Sequence, residues 1–332
     1  MKSLLTIALL ASTAFGAEGY KVLTKYPIGG TGGWDYLAVD AANRRIYASH
    51  STLVEVLDAD SGKVVGQIKD LHNVHGIAIA ADLNKGFITN GGSNSITVFN
   101  LKTLEKVGEP ASGGKGPDAV CYEPKTKRVF AMNHNSDDST AIDANKLEIV
   151  STFKLGPAPE FCAVDGAGKV YVNLEGSSEV LEIDAAKPAV TRRVELTPAE
   201  GPSGLAIDVK NKKLFSVCSN KQMAVIDIPT MKVIATPAIG SNPDAAGYDP
   251  GTGLAFSSNG GGDLTIVKLV NGKYEAVDTV PTVRGARTMA VDEKTHKIYL
   301  SAAEYGAPVE GKDGKKRPQV LPNSFNILVV GK

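Results

Sequence analysis

Apolar residues recur along the chain in one order: a short apolar strand, a turn, a second strand carrying an aromatic, a polar loop, and a third strand ending near Asp or Asn. Seven segments open these units: WDYLAVD, VHGIAIA, PDAVCYE, PEFCAVD, PSGLAID, PDAAGYD and ARTMAVD. The aromatic of the second strand falls at Tyr47, Phe87, Phe130, Tyr171, Phe215, Phe256 and Tyr299, at spacings of 40, 43, 41, 44, 41 and 43 residues. Short strands repeating at this period predict a β-propeller, because one such unit cannot bury both of its faces alone. Every strand reads as apolar on both faces, as a blade wedged between two neighbours requires, and no helical periodicity is sustained after the first residues. The expected fold is all-β, a seven-bladed β-propeller of four-stranded antiparallel blades.

Third strands are legible in LVEVLDA, ITVFNLK, STAIDAN, VLEIDAA, MAVIDIP, LTIVKLV and FNILVVG, but a fourth strand follows in the first six units only. The stretch YKVLTKYPI, residues 20–28, stands before the first unit and looks like the fourth strands GKVVGQI and MKVIATPAI. It is expected to complete blade seven, which closes the ring and removes an exposed sheet edge. Blade seven also carries the one long insertion, EYGAPVEGKDGKKRPQVLPNS at 304–324, between its second and third strands.

Composition bounds the partners. The 332 residues are 42% hydrophobic, enough for a large core, and 36 Lys+Arg balance 36 Asp+Glu, so no global field attracts a polyanion. The start, MKSLLTIALLASTAFGAEG, joins Lys2 to an apolar run over 4–10 and to the small residues Ala14 and Gly16, which reads as a signal peptide over 1–16. Residues 17–332 then form a single propeller domain, expected to be periplasmic or secreted, monomeric, and without a membrane span.

Several stretches match a known pattern. FITN at 87–90, with looser forms VYVN at 170–173 and IYAS at 46–49, the PDA and PEF starts, and third strands ending in Asp together resemble the YVTN family of bacterial seven-bladed propellers. The resemblance covers essentially all of 20–332 and implies the same fold. It leaves activity open, since the family includes exported binding or surface proteins.

In an antiparallel blade, the connection entering the first strand and the loop between strands two and three lie at one end of the sheet. The second residue of each opening segment therefore rings the mouth of the channel: Asp35, His75, Asp118, Glu160, Ser203, Asp244 and Arg287. Loops between strands two and three bring His50, Asn90, Asn133, His134, Glu175, Asn220, Asn259 and Glu304 to the same end, and Trp34 adjoins it as either a stacking platform or a blade-interface filler. The expected ligand-binding set is Trp34, Asp35, His75, Asp118, Glu160, Asp244, Asn259 and Arg287. Four of the five histidines, His50, His72, His75 and His134, fall in blades one to three beside acids, a donor mixture suited to Zn, Cu, Ni or Fe. No contiguous metal motif accompanies them, and hydrogen-bonding loop histidines are the competing reading. His296 falls at the opposite end, as a solvated turn residue.

GGTGGW at 29–34 lacks the Lys-Ser/Thr of a phosphate loop, NHNSDDS at 133–139 lacks the glycine and terminal glutamate of a calcium loop, and no nucleophile elbow is present. Cys121, Cys162 and Cys218 sit in apolar strands and are expected as free thiols; a Cys121–Cys162 bridge between adjacent blades, which an oxidising compartment would permit, is the alternative, limited by the roughly 7 Å Cα range of a disulfide. Nucleic acid is not an expected partner, because it would have to rely on Lys312, Lys315, Lys316 and Arg317 with Arg284 and Arg287 against an acidic mouth. The resulting expectation is an exported propeller that binds a small ligand, metal ion or protein partner at its mouth. The alternative is a metal-dependent, lactonase-like hydrolase or lyase with Glu160 or His75 as base.

Overall fold

The computed structural model describes residues 19–310 and 316–332. The segment 1–16, together with Lys312 and Lys315 of the basic run, lies outside the described residues. Among the described residues, strands form seven four-stranded antiparallel sheets and one two-stranded sheet, arranged as the blades that the period predicts. Blade one is typical: Trp34–Asp40 lines the channel, followed outward by Arg45–His50, Leu53–Asp58 and Val64–Ile68.

The core is divided among the blade interfaces. Buried apolar clusters form between neighbouring blades, such as Tyr47, Val56, Ile77, Ile88 and Phe99 between blades one and two. The second-strand aromatics Tyr47, Phe87, Phe130, Tyr171, Phe215, Phe256 and Tyr299 are all buried, so each repeat contributes a large ring to these seams. The expectation that all strands are apolar on both faces holds for the inner three of a blade and fails for the fourth. Val64–Ile68 and Ile149–Lys154 are largely exposed, with Val64, Val65, Ile149 and Val150 facing solvent, because the outermost strand lies beyond the reach of the neighbouring blade.

The ring is closed as expected. Lys21–Pro27 pairs antiparallel with Asn326–Gly331 and completes the blade formed by Met289–Asp292 and Lys297–Ala302. This closing strand reaches both ways around the ring: Tyr20 packs edge-on against Phe256 of blade six at 5.7 Å, and the Tyr26 hydroxyl donates to the Ala59 carbonyl of blade one at 3.2 Å. The blade-seven insertion is a hairpin, Tyr305–Glu310 paired with Lys316–Val320.

The inner strands carry a shared irregularity that positions function. Pairing with the second strand shifts between Trp34 and Leu37, Val74 and Ile77, Pro117 and Val120, Pro159 and Cys162, and Pro202 and Leu205. Such bulges release a residue from the ladder and re-aim its side chain. The residues released include Asp35, His75, Asp118, Glu160 and Ser203, so the mouth positions are turned off the sheet.

The FITN-type motif holds these bulges in place. The Thr89 hydroxyl accepts a hydrogen bond from the Gly76 amide at 2.7 Å and donates to the Asp118 carbonyl of the next blade. Ser258 bonds the Arg287 carbonyl, and Asn173 the Ser203 carbonyl, in the same way. In these three blades a small hydroxyl or amide thus ties the backbone of the next blade's mouth residue across the seam, where a bare bulge would leave polar backbone unpaired. At Gly76 even a Cβ would lie 2.6 Å from the Asp118 carbonyl oxygen, so glycine lets blade two approach blade three closely beneath the mouth.

One cysteine expectation is corrected. Cys121 and Cys162 form a disulfide, with Cα atoms 6.2 Å apart, and only Cys218 remains a buried free thiol. The inner strands of adjacent blades converge toward the axis more tightly than the expectation allowed, bringing the pair inside the bridging range. The bridge joins blades three and four, and its cysteines follow Asp118 by three residues and Glu160 by two.

Candidate functional site

The bulged residues converge. His75 Nδ1 lies 2.7 Å from Asp35 Oδ2 and 3.8 Å from Asp118 Oδ1, while His134 Nδ1 lies 3.0 Å from Glu160 Oε1. Two triads result, Asp35–His75–Asp118 and Asp118–His134–Glu160, each with donor atoms mutually within 4.8 Å, and they share Asp118. His134 reaches the site because the chain turns into a single 3₁₀ turn, His134–Ser136, straight after the second strand of blade three. Across the ring, Arg287 pairs with Asp244 and stands 3.7 Å from Asp35 Oδ1.

The charges are crowded and incompletely compensated. Asp118 is pushed up to about 7, first by burial and then by the carboxylates of Asp35 and Glu160. Asp244 is also raised to about 7, burial outweighing the guanidinium of Arg287. The Glu160 carboxylate beside His134 raises that imidazole to about 9. For His75, burial acts to lower the pKa, but the hydrogen bond to Asp35 and the charges of Asp118, Asp35 and Glu160 outweigh it and raise it. Asp118 Oδ1 and His134 Nδ1 are nevertheless buried without a hydrogen-bond partner, since the close His134–Glu160 pair is angled away from a hydrogen bond. Orphaned buried donors and acceptors are costly.

A floor that sequence reasoning missed underlies this ring. Tyr36 of blade one and Phe161 of blade four stack with ring centroids 4.3 Å apart. Those blades stand across the ring from each other, so the stack spans the channel. It separates the mouth from a bay of about 380 Å³ at the other end, lined by residues such as Ala78, Val120, Val164, Ile207 and Glu293 together with the disulfide. The signal was available: the third position of the inner strands is small at Gly76, Ala119, Gly204, Ala245 and Thr288, and large only at Tyr36 and Phe161. The Tyr36 hydroxyl is buried without a partner, and burial followed by the charges of Asp118, Glu160, Asp35 and Asp244 raises its pKa well above the usual phenol value.

Comparisons with known proteins agree with this architecture. No family model matches the chain. "Uncharacterized protein YncE" of Salmonella typhi is 24% identical over 196 residues, 56% of this chain and 54% of that protein. "Antigen Lp49" of Leptospira interrogans is 27% identical over 277 residues, 76% of this chain and 60% of that protein. The chain thus spans little more than half the length of these curated relatives. Among solved structures, "Structure of U3-55K" and "Crystal structure of RRP9 WD40 repeats" each superpose with a TM-score of 0.75 at 10% identity, covering 94% and 95% of this chain and 99% and 98% of theirs. The chain is a seven-bladed β-propeller that resembles YncE in sequence. At 10% identity the solved structures speak for the fold alone.

The other site residues expected from sequence are placed elsewhere in this propeller. His50 is buried beside Phe325 at 4.7 Å and 3.8 Å from Glu55, and it joins neither triad. His72 is exposed in the crossing connection, bonded through its backbone to Asn90 and Gly92, and joins neither triad. Trp34 fills the seam between blades seven and one, stacked on Phe325 at 5.5 Å and near Tyr305 at 6.1 Å. The buried Asn259 amide is engaged by Asp263 at 2.6 Å and Thr265 at 2.9 Å within its own blade. His296 is more than a solvated turn residue, because its Nδ1 lies 2.8 Å from the fully buried Asp249 of blade six. Among the described residues, no helix is long and apolar enough to cross a membrane.

Proposed function

We propose that this protein is an exported binding propeller whose mouth captures a divalent first-row transition metal through Asp35, His75, Asp118, His134 and Glu160. The observation that carries the reading is the pair of triads sharing Asp118. Imidazole and carboxylate together suit Zn, Cu, Ni or Fe. A dication would supply partners for Asp118 Oδ1 and His134 Nδ1 and would offset the mutual repulsion of three carboxylates. Asn73 fixes the ring: its side-chain Nδ2 lies 2.7 Å from His75 Nε2, which leaves Nδ1 directed at the carboxylates.

The competing reading, a metal-assisted hydrolase or lyase, uses the same mouth and adds turnover. The test is the metal content of protein purified from its native envelope at neutral pH, followed by assay of the loaded protein against lactones and esters. Stoichiometric Zn, Cu, Ni or Fe, lost from the Asp118→Asn variant, is the expected result. Metal-free protein that also fails to take up these ions on dialysis would remove the reading, and turnover by the loaded form would favour the enzyme over the binder.

A further inference from the structure

The arrangement of the two triads points to more than one ion. Resting on the metal reading above, we infer that the mouth is built as a dinuclear centre in which Asp118 bridges two divalent cations, one completed by Asp35 and His75 and the other by His134 and Glu160. Each ion then receives one imidazole, one carboxylate of its own and half of a shared one, so the donor set divides evenly. A carboxylate has two oxygens and about four lone-pair directions, which suits it to a bridge. In two-metal sites the ions stand about 3.5–4 Å apart, a separation that one carboxylate spans.

The surroundings hold the two halves in register. His75 and Asp118 are brought together by the glycine at position 76, where a side chain would strike the Asp118 carbonyl. Asp118 and Glu160 are fixed by the Cys121–Cys162 bridge immediately below them. Beneath both lies Tyr36, 8% exposed, its hydroxyl unpartnered. That phenol can donate to a ligand carboxylate or to an oxygen held between the ions.

The experiment is equilibrium dialysis of the metal-stripped mature chain against Zn²⁺, with copper loading of the same protein followed by electron paramagnetic resonance. Wild type is expected to hold two equivalents of zinc. Asp35→Asn and Glu160→Gln should each lose one equivalent and keep the other, and Asp118→Asn should lose both, with circular dichroism melts showing that each variant remains folded. The copper-loaded wild type should show the spin coupling of two adjacent ions. One equivalent in wild type, lost equally from all three variants and giving an uncoupled copper spectrum, would overturn the dinuclear assignment while leaving the metal reading intact. No tight zinc at all would remove both.

Discussion

Removing residues 20–28 is expected to unfold the whole ring. The closing strand supplies the outer pairing of blade seven from Lys21 to Pro27, and it seats two tyrosines, each 7% exposed, one against blade six and one against blade one. Truncating one buried aromatic costs about 3–5 kcal/mol, and the total stability of a domain is about 5–15 kcal/mol. Loss of two such anchors and a strand ladder therefore consumes most of it. A propeller amplifies the loss, because each blade buries its faces only against its neighbours and an opened ring exposes two seams at once. Tyr26→Ala is the graded version, expected to lower unfolding free energy by about 3–5 kcal/mol in a denaturant titration. A truncated protein that melts like the parent would show that closure contributes little.

The second large effect is a reversal of sign at Asp118. Its folded pKa of about 7 lies well above the ordinary value for an aspartate. A carboxyl raised in the folded state binds protons more readily there than in the unfolded chain. Its favourable contribution is complete below about pH 4 and is lost as pH rises through about 7. Metal-free Asp118→Asn should therefore be more stable than wild type at pH 8 by ~2 kcal/mol, about half of what the full shift implies because the Asp118 side chain keeps contact with screening solvent, with the difference vanishing near pH 4. His134, raised to about 9, works in the same direction in wild type, its contribution fading as pH rises through 9. Metal inverts the order. At a hundredfold excess over Kd a bound ion stabilises wild type by about 2.7 kcal/mol, and the variant gains none of it. Thermal melts of both proteins at pH 4 and pH 8, with and without zinc, would display the crossing; a variant less stable than wild type in metal-free buffer at pH 8 would contradict it.

Much of this fold could be read in the chain because repeats make a local pattern global. The second-strand aromatics, the opening segments and the orphan strand at 20–28 fixed blade number and closure without any long-range information. The mouth was legible for the same reason: the second residue of each opening segment is an equivalent position, and Asp35, His75, Asp118, Glu160, Asp244 and Arg287 do share one electrostatic neighbourhood. What failed were the contacts that depend on a departure from equivalence. His50 and His134 occupy related loops, but a 3₁₀ turn carries His134 over the mouth while His50 is packed against Phe325. Cys121 and Cys162 differ by one step in register, and only the convergence of inner strands near the axis brings them into bonding range. Tyr36 and Phe161 lie in blades one and four, and their stack exists only because the ring places those blades opposite each other.

The resemblance to YncE-like propellers constrains the scaffold and leaves the mouth to be explained by its own side chains. Its chemistry is concentrated in one sector. Blades one to four supply every member of the two triads, while blades six and seven contribute the Asp244–Arg287 pair, whose guanidinium also stands 3.7 Å from Asp35. The most direct measurement of the metal reading is an anomalous difference map from zinc-soaked crystals, recorded on both sides of the zinc edge. Density between Asp35, His75, Asp118, His134 and Glu160 that disappears below the edge is the predicted result. A featureless mouth, or zinc held only at the opposite end beside His296 and Asp249, would contradict the account.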